Sequence, residues 1–196
     1  LQTIQSDSKC LHDLWEYDTL VINGTTYKNF KFYEKWFEKD NLKHIFSNDV
    51  CCEIHGDLTI ENIIGERVEE RIFYFIDPNT GNLHESKALD YAKLLQSLHG
   101  GYEFLMAVSN YEIKGNEIRF FATRSMIYEQ IYKKFDSYLR SIMTPEEVRS
   151  VYFHEVIHFL RLLPYKIQKD GKKAGVFYAQ MIIILHDILE MFGGEQ

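Results

Sequence analysis

The hydrophobic period of this chain changes several times along its length. Residues 17–27 carry the β-prone run Thr19-Leu20-Val21-Ile22, then Asn23-Gly24, then Thr25-Thr26-Tyr27, and Asn-Gly between two such runs predicts a tight hairpin. Over 30–46 the period becomes helical, with Phe32, Trp36, Leu42 and Ile45 separated by lysines and acids, which predicts a helix leading into the following segment. Residues 62–64 and 71–76 flank Gly65 and the charged stretch 66–70, a second hairpin of short strands. Leu89, Ala92, Leu95 and Leu98 then predict a helix stopped by Gly100-Gly101. Residues 106–113 and 118–122 alternate around Lys114-Gly115-Asn116, a third hairpin.

The remainder reads as helix. Tyr128, Ile131, Tyr132, Phe135 and Leu139 recur at helical spacing, a stripe that builds core more often than a ligand box. Thr144-Pro145-Glu146-Glu147 is a helix start: Thr144 caps, Pro145 sits where its missing donor costs nothing, and Glu147 completes a capping box. Pro164 is expected to close that helix. The segment 175–192 is apolar on nearly every face and is expected at the centre of a helical core. No internal repeat, low-complexity tract or linker interrupts the pattern, so the expectation for residues 1–196 is one α+β domain, mostly helical, with short hairpins.

Composition narrows the classes. With 196 residues, 45% of them apolar and 15% aromatic, the chain can bury a sizeable core. A net charge of -7 argues against a nucleic-acid partner while leaving a locally held small anion admissible. Cys10, Cys51 and Cys52 are odd in number and two are adjacent, which predicts buried free thiols in a reducing compartment. The longest apolar runs fall short of a bilayer span, so the expected setting is cytoplasmic, with no membrane insertion.

The chemistry concentrates in one place. Residues 55–62 read His-Gly-Asp-Leu-Thr-Ile-Glu-Asn, and fifteen residues after Asn62 comes Asp77 of Ile-Asp-Pro. Phosphoryl transfer needs alignment of the attacking oxygen and neutralisation of phosphate charge. Asp57 is spaced to accept a hydroxyl proton, and Asn62 and Asp77 to hold Mg²⁺ on the phosphates of ATP. His55 would buttress the loop by hydrogen bonding, and Gly56 would permit a backbone conformation closed to other residues. The plainer alternative is a turn at His-Gly-Asp and a strand end at Ile-Asp-Pro, but it leaves the joint spacing to coincidence.

These motifs resemble the aminoglycoside phosphotransferase and choline kinase family, whose members carry His-x-Asp-x-x-x-x-Asn followed by Ile-Asp. Residues 55–63 and 76–78, Leu89-Asp90-Tyr91-Ala92-Lys93-Leu94-Leu95, and Gly101-Tyr102-Glu103-Phe104 are similar to a bacterial subgroup found with cell-surface polysaccharide genes. The resemblance implies the carboxy-terminal lobe of a kinase-like fold, with Asp57 as base, Asn62 and Asp77 as metal ligands, and Asp90 as a structural or substrate-side acid. It implies a sugar or polyol as acceptor and a fused or partner nucleotidyltransferase. Within residues 1–54 the only glycine is Gly24, so no glycine-rich phosphate flap precedes the motif; the expectation is a piece of a longer protein, or a nucleotide lobe supplied elsewhere. A non-catalytic kinase-like binding or scaffold module is the alternative.

A second motif competes. His154-Glu155-Val156-Ile157-His158 fits the zinc-peptidase pattern, two imidazoles one turn apart and a Glu to activate water. The later ligand positions of its extended form hold Arg161 and Pro164, which leaves His186 or Glu190 as distant third ligands. On a helical wheel both histidines fall along a polar flank, so exposed or pocket-lining histidines without zinc are the expectation.

Overall fold

The computed structural model describes residues 9–66, 72–79, 81 and 85–193. Helix α1 (Lys9–Glu16) buries Leu11, Leu14 and Trp15. Strands β1 (Thr19–Ile22) and β2 (Thr25–Lys28) form the first predicted hairpin, with Ile22 opposite Thr25. Asn23 and Gly24 both take positive φ, 50° and 87°, which matches the twist of a two-residue hairpin turn. A second hairpin, β5 (Tyr111–Lys114) and β6 (Glu117–Phe120), joins the first through parallel pairing of β1 with β6, giving the order β2-β1-β6-β5.

The region 30–46 is not one helix. A 3-10 helix over Phe30–Phe37 gives way at an extended Glu38 to α2 (Lys39–Ile45). Asn29 sets the start: its Oδ1 accepts from Phe30 N at 2.8 Å and from Tyr178 Oη at 2.6 Å, and its Nδ2 donates to the carbonyls of Leu14 and Tyr17. That buried amide fixes the entry angle of the segment, and tertiary fit overrides the simple helical period.

The core is built by three helices, α3 (Lys87–Leu98), α6 (Pro145–Lys169) and α7 (Lys173–Phe192). Val151, Tyr152, Phe153, Val156 and Phe159 of α6 are fully buried, as are Val176, Ala179, Met181 and Ile182 of α7. Gly100 lets α3 end against α6, since a methyl there would lie 2.5 Å from Phe159 Cε2. The capping box at Thr144 and Glu147 forms as expected, with both reciprocal bonds present. Pro164, however, does not close α6, which runs on to Lys169. The lost backbone bond is offset by burial of Leu163 and Ile167 on either side.

Other expectations shift in detail. Met106 lies in a short helix, α4 (Tyr102–Ala107), and not in a strand, because Gly101 at φ 65° is the N-cap of a new helix shortly after α3 ends at Leu98. Helix α5 (Met126–Ile142) buries only Leu139, while Tyr132 and Phe135 pack half-buried on the core and Ile131 is exposed. Cys51 and Cys52 are exposed and Cys10 half-buried, against the expectation of buried thiols, and all three are free. Helix α7 is long and apolar enough to cross a membrane by composition, at mean hydropathy 1.4, but 56% of that stretch is buried in the protein. It is a core helix lying between α6 and the sheet.

Candidate functional site

The His55–Asn62 segment owes its shape to α3. One stripe of that helix, Asp90, Lys93 and Ser97, faces the loop at i, i+3 and i+7. Asp90 accepts from both His55 N and Gly56 N, each at 2.8 Å, with one carboxylate oxygen apiece. Lys93 Nζ lies 2.9 Å from Asp57 Oδ1 and also donates to Gln96 Oε1 at 3.1 Å. Ser97 Oγ accepts from Ile60 N at 3.2 Å and donates to Glu103 Oε1 at 2.6 Å. The entrance to the loop is fixed by the Cys52 N to Glu85 O bond, 3.0 Å, just before α3 begins.

Within the loop, Gly56 takes φ 80° and is buried, a left-handed conformation that favours glycine. His55 Nε2 donates to Ile76 O at 2.8 Å, which leaves Nδ1 to accept from Asp57 N at 3.4 Å. One neutral tautomer satisfies both bonds. The carbonyl of His55 accepts from Asn79 N at 2.8 Å, so His55 grips the chain on both sides of Asp77.

Strands β3 (Ile63–Gly65) and β4 (Phe73–Phe75) pair antiparallel, Ile63 opposite Phe75; residues 67–71 of the predicted hairpin lie outside the described residues. The ladder continues through Ile76 N to Asn62 O, 3.0 Å, which sets Asn62 next to the residue before Asp77. Asn62 Nδ2 donates to Asp57 O at 2.7 Å, turning the amide so that its oxygen is left for another partner. Asp77 has φ 54°, an uncommon conformation for a residue with a side chain, and its exposed carboxylate has no partner among the described residues.

Of the residues singled out in sequence, His55, Asp57 and Asn62 are bonded to one another, and Asp77 follows the Ile76 that both His55 and Asn62 hold. Asp90 is the exception in role. Each of its oxygens accepts from a loop amide, which is the structural one of the two roles considered. Lys93 was missed by sequence reasoning, although its i+3 spacing from Asp90 was a usable signal.

The competing motif is dismantled by its own neighbours. His154, Glu155 and His158 are 6%, 0% and 3% exposed, so the polar flank faces the interior and not solvent. His154 Nε2 bonds Asp49 Oδ2 at 2.6 Å, with Phe46 stacked 4.0 Å above the ring. His158 Nε2 donates to Leu89 O at 3.3 Å; burial, reinforced by the charge of Lys93, holds its pKa well below the usual histidine value. Glu155 turns to another partner, His99 Nδ1, at 2.8 Å. Burial alone would lower the His99 pKa, but the charge of Glu155 and hydrogen bonds to Asp187 and Glu155 raise it to about 9. His186 and Glu190 pair with each other on α7 at 3.6 Å and do not join the motif.

No family model, curated protein or solved structure matches the chain.

Proposed function

We propose that the protein is an ATP-dependent phosphotransferase acting on a hydroxyl of a sugar or polyol, and that the described residues correspond to a kinase-like carboxy-terminal lobe. The observation that carries this reading is the position of Asp57: it is clamped by Asp90 through the preceding amides, joined to Asn62 through its carbonyl, and tied through the His55 ring to Ile76, the residue before Asp77. A turn with only local hydrogen bonds has no need of these long-range ties. By the resemblance of its motifs, the reaction would belong to surface-polysaccharide synthesis in the cytosol, with a nucleotidyltransferase as fused or separate partner.

In this mechanism Asp57 accepts the proton of the acceptor hydroxyl. The oxygen then bonds to the γ-phosphorus as the bond to the bridging β,γ-oxygen breaks, and ADP leaves. Lys93, ion-paired to Asp57, would hold that carboxylate in place beside the acceptor. The amide oxygen of Asn62 and the carboxylate of Asp77 are hard oxygen donors without protein partners among the described residues, a set that fits magnesium. Bound there, the ion would neutralise phosphate charge. Exposed apolar side chains beside the site, Phe73 and Phe75, each 61% exposed, give a nucleotide-binding lobe a surface to pack on.

The test is turnover of ATP by the full-length protein over a panel of sugars and polyols, with and without magnesium, following the phosphorylated product by ³¹P NMR. Magnesium-dependent product with one acceptor class is expected. A folded protein that gives no product with any acceptor would shift the weight to the non-catalytic binding module.

A further inference from the structure

Lys166 stands out among the buried polar residues. It is 5% exposed in the last turns of α6, and its ammonium has only neutral partners among the described residues. Its Nζ lies 3.4 Å from Tyr102 Oη and 2.8 Å from Met106 Sδ, and faces the rings of Phe177 and Tyr102 at 4.6 and 5.0 Å. A thioether is a weak acceptor, and π faces offset a desolvated ammonium only in part. Two more lysines converge there. Lys173 Nζ donates to Met106 O at 2.7 Å, and Lys169 sits 4.6 Å over the Tyr165 ring that Lys166 also faces. Burial, and then the charges of Lys169 and Lys173, depress the Lys166 pKa.

Three ammoniums with no carboxylate in ion-pair contact among the described residues, on a chain of net charge -7, are a costly arrangement unless an anion completes it. The cluster borders the proposed catalytic loop. The charges of Glu61 and Asp57 both act on the Tyr102 phenol, and Glu61 acts on Lys166. Tyr102 and Glu103 begin α4, and Glu103 is bonded through Ser97 to Ile60 of the loop.

We propose that Lys166, Lys169 and Lys173 form an anion subsite on the acceptor side of Asp57, and that the acceptor carries a carboxylate or phosphate monoester in addition to the hydroxyl that reacts. This rests on the phosphotransferase reading for its link to catalysis. The anion displaces the Met106 thioether, which lies at the surface at 42% exposure, and pairs with the ammonium behind it.

The test is calorimetric titration of the full-length protein, without nucleotide, using inorganic phosphate, D-glucuronate and D-glucose. Saturable binding of phosphate or glucuronate, and none of glucose, is expected; the tighter anion tells a phosphate from a carboxylate acceptor. Lys166→Met keeps the shape of a side chain already lined by rings and thioether, and is expected to weaken anion binding at least tenfold without lowering Tm. The double variant Lys169→Gln/Lys173→Gln changes only the rim, gives a second reading if the first fails to fold, and is expected to weaken binding several-fold. Unchanged affinity in the folded variants, or no saturable anion binding by the wild type, overturns the proposal. ATP turnover separates the two ideas. Phosphorylation of neutral sugars with no anion binding contradicts the subsite alone, while anion binding with no turnover on any acceptor contradicts the phosphotransferase alone.

Discussion

The loop around Asp57 and the α3-α6-α7 core are held by different forces. In the core, Tyr152, Phe153, Val156 and Phe159 are 0% exposed and stability comes from apolar burial and close packing. In the loop unit, Phe73, Tyr74 and Phe75 are more than half exposed, and order comes from polar bonds to His55, Asn62 and Asp90. The two regions meet on α3, one face of which lies in the core while Asp90, Lys93 and Ser97 hold the loop. The loop thus borrows much of its rigidity from a helix.

That contrast is broken most severely at the core. Phe159→Ala should lower unfolding free energy by about 3–5 kcal/mol, read as a large drop in denaturation midpoint. A loss below about 1 kcal/mol would mean that the α3-α6 junction is not close-packed.

Asp90→Ala acts at the seam. It removes the acceptor of two backbone amides, each charge-assisted bond worth roughly 1.5–3 kcal/mol when buried and less at this half-buried site. The expected outcome is faster hydrogen exchange at the His55 and Gly56 amides, with exchange in α6 nearly unchanged. Equal loss of protection in both regions would show that loop and core unfold together.

The histidines give smaller, pH-dependent effects. His99 has a folded pKa of about 9, above its unfolded value of about 6.5. Its contribution is therefore complete below the unfolded pKa and is lost as pH rises toward the folded one. His158 is depressed, so its contribution is complete above the unfolded pKa and is lost as pH falls below it. Thermal unfolding across pH 5–10 should peak near the unfolded histidine pKa, about 6.5. His99→Gln should flatten the alkaline limb and His158→Gln the acid one.

Smallest of all, Phe73→Ser in the exposed strand should shift stability by no more than about 0.5 kcal/mol, measured by the same unfolding curves. A larger loss would mean that β4 contributes to the core.

What was legible in sequence follows the same division. The shape of the loop unit was legible because its parts act over short separations: Asn62 bonds the Asp57 carbonyl five residues back, and the Ile76 to Asn62 ladder bond continues a short hairpin. The first hairpin and the capping box were legible for a similar reason, since Asn23-Gly24 and Thr144-Glu147 act on their immediate neighbours. What failed was what depends on distant partners. The flank of α6 bearing His154 and His158 looked solvent-facing because nothing in the local pattern shows that Asp49 and the Leu89 carbonyl arrive from elsewhere. Pro164 looked like a stop because burial of Leu163 and Ile167 is a tertiary property. Asp90 was left between a structural and a substrate-side acid, and only its bonds to His55 and Gly56 reveal the anchor.

The central claim is that Asp57 acts on the acceptor while Asp77 acts on the metal and nucleotide. It is tested most directly by measuring magnesium-ATP affinity and phosphate transfer side by side in the full-length wild type, Asp57→Asn and Asp77→Asn. Asp57→Asn should bind magnesium-ATP like the wild type and lose about 10²–10⁴-fold in transfer, whereas Asp77→Asn should lose both binding and transfer. Full transfer activity in Asp57→Asn, or wild-type magnesium-ATP affinity in Asp77→Asn, would contradict the account.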